Sequence, residues 1–192
     1  MKHKSVEEFS VKTLEFAGLG AALQALRLPF GKDSRSFIDG SLVQEKDYIT
    51  YSKSIQVSEK DKDLLMALIH RGDEHAKVMR GVCVWCEINA PRYWWQECDR
   101  YSVGACCMAS HSTMHQQGRG LAEDELVEMK ENLPEGTMQK RVWMFSYQTL
   151  RRIYYQRFDH RLPQWRKFCS WIESLPLADE LIICDECDNS SQ

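Results

Sequence analysis

Apolar positions along the 192-residue chain change period several times, and each change predicts an element boundary. Phe9, Val11, Leu14 and Phe16 recur with weak alternation, the pattern of a short strand. Residues 17–29 are rich in Ala and Leu and stop at Pro29, which predicts a helix. Residues 29–45 mix Gly, Asp and Ser around one short apolar stretch and read as a loop region, and residues 48–57 have strand composition. Ser58, with Asp61 three residues later, predicts an N-cap opening a helix through Leu64, Leu65, Leu68 and Ile69 to Gly72. Val82, Val84, Cys86 and Ile88 alternate strictly and fall on one face of a central strand.

Pro91 starts the next change of period, and Tyr93-Trp94-Trp95 predicts a helix. One of two adjacent helical aromatics normally faces inward, so Trp94 and Trp95 read as core and packing residues. Residues 102–120 show little periodicity and much Ser, Gly, Cys and His, an irregular segment of the kind that often carries function. Residues 121–132 form an acidic amphipathic helix closed by Leu133-Pro134-Glu135-Gly136. Trp143, Tyr147, Leu150, Tyr154 and Phe158 follow at spacings of four, three, four and four, which predicts one long helix. After Pro163 a second helix carries Trp165, Phe168, Cys169 and Ile172. No repeat or low-complexity linker interrupts the chain, so residues 1–192 read as one domain with an acidic tail at about 179–192.

Composition narrows the class. The chain is 43% hydrophobic and 28% charged, ordinary for a soluble domain, and no run approaches the roughly 18 apolar residues of a membrane helix. Met1-Lys2-His3-Lys4 leads into Val6-Glu7-Glu8-Phe9 and not into an apolar run, so no signal peptide and no membrane association are expected. The expected setting is cytoplasmic. A net charge of -3 disfavours nucleic-acid binding by bulk electrostatics. Residues 140–167 do hold eight Lys and Arg against one acid, Asp159. Of the eight cysteines, Cys83 and Cys86 lie three apart on a predicted strand and point to opposite faces. Cys184 and Cys187 have zinc-knuckle spacing without a second good pair, and adjacent Cys106 and Cys107 need a special turn to bind together, so no metal is expected.

Three separated features resemble one enzyme family. They are His70-Arg-Gly-Asp-Glu74-His75; the strand with Ala90-Pro91 and the helix through Gln96-Glu97-Cys98-Asp99-Arg100-Tyr101-Ser102; and Tyr155-Gln156-Arg157 with Gln164-Trp165-Arg166. In this order, over residues 64–181, the chain resembles the flavin-dependent thymidylate synthases. That family carries a His and Glu-His segment, Ala-Pro, an Arg-Gln-Trp helix, and an Arg-His-Arg signature continued by Ser, Asn-Glu, Ser and Arg. Aligned on Ala90-Pro91, Arg100 takes the first signature arginine and Ser110 the second serine. Tyr101 and Ser102 replace the His and Arg, Ala105 the first serine, Cys107 and Met108 the Asn-Glu, and Ser112 the closing arginine. The chain also resembles phage-associated proteins that share the tryptophan-rich helix, a run like Ser110-His-Ser-Thr-Met-His115, and an ending like His160-Arg-Leu-Pro-Gln-Trp165.

The resemblance implies an α+β fold, with a central antiparallel or mixed sheet flanked by long helices, and a homotetramer, a soluble protein of a bacterial host cell. It implies a dUMP-like pyrimidine nucleotide as ligand and FAD as cofactor. Nucleotide-binding residues would be Gln96, Glu97, Arg100, Ser110, Ser112, Arg157 and Arg166; His70, Glu74, His75 and Arg100 would hold the flavin. The guanidinium fork suits phosphate, and Arg92 joins Arg100, Arg157 and Arg166 on those grounds. The run from Ser110 to His115 reads as a hydrogen-bonding ligand loop or as a capped turn, ahead of a metal on His111 and His115. Glu74-His75 also reads, slightly ahead of flavin binding, as a helix opening, since Asp73 and Glu74 favour a helix N-terminus. Three functions stay open: reductive methylation of dUMP to dTMP, a catalytically inactive nucleotide-binding or host-interaction relative, and a nucleic-acid binder using residues 140–167.

Overall fold

The computed structural model describes residues 8–32, 37–45, 48–72 and 74–183, with residues 37–45, 48–56 and Gln116 described by backbone alone. Cys184, Cys187 and most of the acidic tail lie outside these residues. The elements in order are β1 (Ser10–Ala17), α1 (Leu19–Arg27), β2 (Phe37–Glu45), β3 (Tyr48–Gln56), α2 (Glu59–His70), β4 (Cys83–Pro91), α3 (Arg92–Cys98), β5 (Ala105–Ser110), α4 (Thr113–Gln116), α5 (Glu123–Glu131), β6 (Met138–Ser146), α6 (Tyr147–Arg157), α7 (Pro163–Glu173) and α8 (Ala178–Leu181). Four strands form an antiparallel sheet in the order β1-β4-β6-β5, and β2 and β3 form a separate antiparallel ribbon. This is an α+β architecture.

Burial on one face of the sheet organises the core. Val84, Cys86, Ile88 and Ala90 of β4 are fully buried, as the alternation requires, and their cross-strand partners on β6 are Phe145, Trp143, Arg141 and Gln139. Cys83, on the opposite face, is half-buried. Trp94, Trp95, Trp165 and Phe168 fill the space between α3, α7 and the sheet; Trp94 lies 4.6 Å from Trp165 and 5.5 Å from Phe168 between ring centroids. Both tryptophans of the pair therefore face inward. Ser58 caps α2 by accepting from the Asp61 N–H at 3.3 Å, and Asp61 in turn receives Arg27 Nε of α1 at 2.5 Å while wholly buried. Among the described residues no helix is long and apolar enough to cross a membrane.

Three sequence expectations need correction. The stripe from Trp143 to Phe158 is not one helix: Trp143 belongs to β6 and α6 begins at Tyr147. Trp143 and Phe145 alternate into the core on the strand, and Tyr147 continues the burial on the helix, so a period-two run meets a helical one at a helix-like spacing. Ser146 marks the join, its hydroxyl accepting the Thr149 N–H at 3.3 Å as an N-cap. Residues 37–45, read as loop, are β2, because Gly, Asp and Ser in a two-stranded ribbon hide the strand signal. Within the irregular stretch, residues 105–110 form β5, an edge strand whose small and sulfur-bearing side chains show no alternation of polarity.

Candidate functional site

Among the described residues strand β5 pairs only with β6, placing Ala105, Cys107 and Ser110 opposite Phe145, Trp143 and Arg141. Partners across an antiparallel pair share a face. Phe145 and Trp143 are buried, yet Cys107 and Ser110 are exposed. The helices cover β6 and stop short of β5, leaving a shelf at the sheet edge. Its back wall is stacked: the Trp95 ring lies 6.0 Å from Trp143 at 16°, and the Trp95 indole N–H donates to the Gln139 carbonyl at 2.9 Å. The Arg141 guanidinium sits 4.4 Å over Trp95, donates from Nε and Nη2 to Gln139 Oε1 at 3.0 and 2.9 Å, and donates from Nη1 to Asp99 at 2.9 Å. Gln139 reaches on to the His111 carbonyl at 3.0 Å. Burial pushes the Cys107 thiol up, with Arg141 offsetting part of the rise.

Asp99 is the C-cap of α3, so its bond to Arg141 pins the end of that helix over the shelf. Arg100 follows it, exposed, and its side chain makes no hydrogen bond or ion pair among the described residues. The chain then turns at Gly104 (φ 74°) onto the β6–α6 junction: Ser146 N donates to Gly104 O at 2.8 Å and the Thr149 hydroxyl to Val103 O at 2.7 Å. Tyr147 N donates to Val82 O at 2.8 Å, so the entry to β4 meets the same junction.

On the other side of α3 a second polar cluster has formed. Arg157 Nη1 donates to Glu97 at 2.8 Å and lies 2.8 Å from His160 Nε2, while Nε donates to the Tyr101 hydroxyl at 2.8 Å. The Tyr101 hydroxyl donates to Gln156 at 2.9 Å, and the buried Trp165 indole N–H donates to Glu97 at 2.9 Å. The guanidinium also stacks 4.7 Å from Trp165.

Of the residues read from the sequence, the fold brings Glu97 onto Arg157 directly, whereas Arg100 is connected to Ser110 only by way of its neighbour Asp99 and Arg141. Ser112 caps α4, accepting the His115 N–H at 3.4 Å; His111 precedes that helix and His115 lies within it, both exposed. Gln96 donates to Glu135 at 3.0 Å and Arg92 to the Leu133 carbonyl at 3.1 Å, which ties both to the 133–135 turn. Arg166 braces the turn before α7 through the carbonyls of His160 at 2.6 Å and Arg161 at 3.2 Å. His70, Glu74 and His75 are exposed at the end of α2 and the following turn, where Lys77 approaches Glu74 at 3.9 Å. The 3-10 turn Lys77–Arg80 leads from there toward α6, with Arg80 donating to Gln148 at 2.8 Å. Arg141 and Asp99 were missed by sequence reasoning. Nothing in residues 138–146 signalled a strand facing the core, and that register alone selects Arg141.

The architecture is the fold of the flavin-dependent thymidylate synthases. Two crystal structures of that enzyme, ThyX from Helicobacter pylori with FAD and dUMP, superpose with a TM-score of 0.60 each. They are 15% and 14% identical to this chain, covering 92% and 94% of it and 98% and 100% of their own chains. At that identity the likeness is one of fold. No model of a known protein family matches the sequence, and no curated protein matches it significantly.

Proposed function

We propose that the chain binds a pyrimidine nucleotide of the dUMP type on the β5 shelf, with Arg100 as its phosphate ligand and Ser110 and Ser112 beside it. One observation carries this reading: Arg100 is an exposed cation without a side-chain partner among the described residues, and it directly follows Asp99, which bonds Arg141, the cross-strand partner of Ser110. A guanidinium so placed offers two parallel N–H donors to a phosphate. Arg157 and Glu97 already spend their hydrogen bonds on each other and on Tyr101, His160 and Trp165, so their part is to hold α3 in place. Arg141 is likewise occupied by Asp99 and Gln139.

The residues of one copy do not fit a flavin dinucleotide. Where the resemblance implies a signature histidine, Tyr101 is buried and tied to Gln156 and Arg157. Ser102 brings no charge, which leaves Arg100 as the one signature cation. The shelf suits a single phosphate, and no step is derived through FAD. We therefore favour a nucleotide-binding relative over reductive methylation of dUMP. A thermal-shift panel with dUMP, dTMP and FAD, run beside native mass spectrometry of fresh protein, tests it. The expected result is stabilisation by dUMP that Arg100→Ala removes, without retained flavin. Absence of any nucleotide shift would overturn the reading; the same spectra report whether the chain forms the homotetramer implied by the resemblance.

A further inference from the structure

Between β5 and β6 the chain leaves the sheet for residues 111–137, and α5 within this arm has no buried residue. A helix of nine residues is marginal by itself and takes its stability from packing. One side of α5 has such packing: Leu126 and Met129 are half-buried against Gly118, where an added Cβ would fall 2.4 Å from Leu126 Cδ1. The other side is bare. Val127 is 51% exposed and shares a shallow surface depression with Glu123, Asp124, Glu128 and Glu131. Among the described residues none of these four carboxylates enters an ion pair.

A surface of the opposite sign lies on the same chain. At the end of α6, Phe158 is 55% exposed and stacked on Tyr154 at 6.0 Å, with Tyr155 5.8 Å from Tyr154. Arg152 and Arg161, before and after Phe158 in the chain, are exposed and make no hydrogen bond or ion pair among the described residues. The charges mirror one another. Residues 122–135 hold six acids against Lys130, and residues 151–167 hold six Lys and Arg against Asp159. An apolar centre within a charged rim is the make-up of a protein interface. Within one copy the two patches do not meet, since no acid of α5 pairs with a base of α6 or α7.

We propose that α5 of one copy docks on the end of α6 of a second copy, with Val127 against Phe158 and Tyr154 and the α5 carboxylates against Arg152 and Arg161. A second copy is the occupant because it carries the complementary patch in equal number. Two copies related by a two-fold axis make the contact twice, so all four patches are covered and this contact closes at the pair. The inference does not rest on the nucleotide reading: neither patch includes Arg100, Ser110 or Ser112.

Sedimentation of the full chain at low salt, up to about 100 μM, follows the contact. Two charge-reversed chains are compared with the unaltered one, E123K/E128K on α5 and R152E/R161E on α6, all at exposed positions where substitution spares the fold. Each reversed chain alone is expected to lose association by about tenfold or more, because attraction at two pairs per contact becomes repulsion. An equimolar mixture of the two should associate again, since each then offers the charge that the other lacks. Damage to the fold, or a contact made elsewhere, would not be repaired by mixing. Molar salt and Val127→Ser should each weaken the unaltered pair. Reversed chains that associate like the unaltered one, or a mixture that stays apart, would overturn the proposal. So would an unaltered chain that stays monomeric, which would leave α5 to a different, basic partner. If a reversed chain does not fold by circular dichroism, the salt series and Val127→Ser decide. The dUMP shift should be the same in both reversed chains, so failure here and failure of the nucleotide reading are told apart.

Discussion

Arg157 Nη1 donates to Glu97 across 2.8 Å, with side chains 15% and 26% exposed, and this one contact joins α6 to α3 at the turn that carries Arg100. Removing either charge strands its partner in a half-buried setting. Glu97→Ala is expected to cost roughly 1–3 kcal/mol, because it also leaves the Trp165 N–H without an acceptor. Glu97→Gln keeps an acceptor for Trp165 and should cost less. Urea denaturation of both variants measures the difference; equal losses would show that the charge alone matters.

Asp61 is more deeply committed. It is fully buried against Arg27, and removal of one member of such a pair typically costs 3–5 kcal/mol. Asp61→Ala should therefore lower the melting temperature more than Glu97→Ala does. A smaller drop would mean that Arg27 finds another partner.

Gly104 is a geometric requirement. At φ 74° an added Cβ would fall 2.7 Å from Ser146 Oγ, the hydroxyl that caps α6, and 2.6 Å from Thr149 Oγ1, its neighbour in contact with it. Gly104→Ala is expected to destabilise by about 2 kcal/mol or more, from backbone strain and the displaced cap together. Calorimetry checks it, and a neutral substitution would contradict the turn as described.

Burial raises several acids of the core. It pushes the Cys169 thiol up to about 12, lifts the Cys98 and Cys86 thiols well above their ordinary value, and pushes the Tyr154 hydroxyl, which also donates to Glu173, up to about 12. Groups whose pKa is raised on folding stabilise fully below their unfolded values, 9.0 for the thiols and 10.0 for the phenol. That stability is lost as the unfolded chain ionises first and pH climbs toward the folded values. The melting temperature should be level from pH 7 to 8.5 and fall steadily from pH 9 upward. A level curve to pH 11 would refute it.

Cys106 and Cys107 separate the two faces of β5. Cys106 lies opposite Met144 on the face away from the helices, whereas Cys107 lies on the shelf opposite Trp143. Iodoacetamide labelling with peptide mapping should modify both, and leave Cys86, Cys98 and Cys169 untouched. Bound dUMP should slow labelling of Cys107 and not of Cys106. Equal protection of both would move the nucleotide off the shelf.

The sequence made β4, α2 and α7 legible because their burial is one-sided and regular: Val84, Cys86 and Ile88 alternate, and Trp165, Phe168, Cys169 and Ile172 follow a helical period. Trp143 misled because four residues separate it from Tyr147 whether or not the backbone between them changes form. Strand β5 was hidden because all of it beyond Ala105 is exposed, so no alternation of burial is imposed on residues 106–110. Of the proposed site, Arg100, Ser110, Glu97 and Arg157 were read from the sequence as candidates. Their pairing was not, since Arg141, which links the first two, takes its meaning only from the register of β6 against β5.

The uncovered face of β5 also bears on how such a chain changes over generations. Cys107, Met108 and Ser110 lie outside the packed interior, so exchanging them leaves no void and strands no buried charge. Selection for foldability is nearly blind to this strand, while it holds Trp95, Trp143 and Arg141 behind it. On the proposed reading, ligand preference is therefore free to drift at little expense to the scaffold, one edge residue at a time.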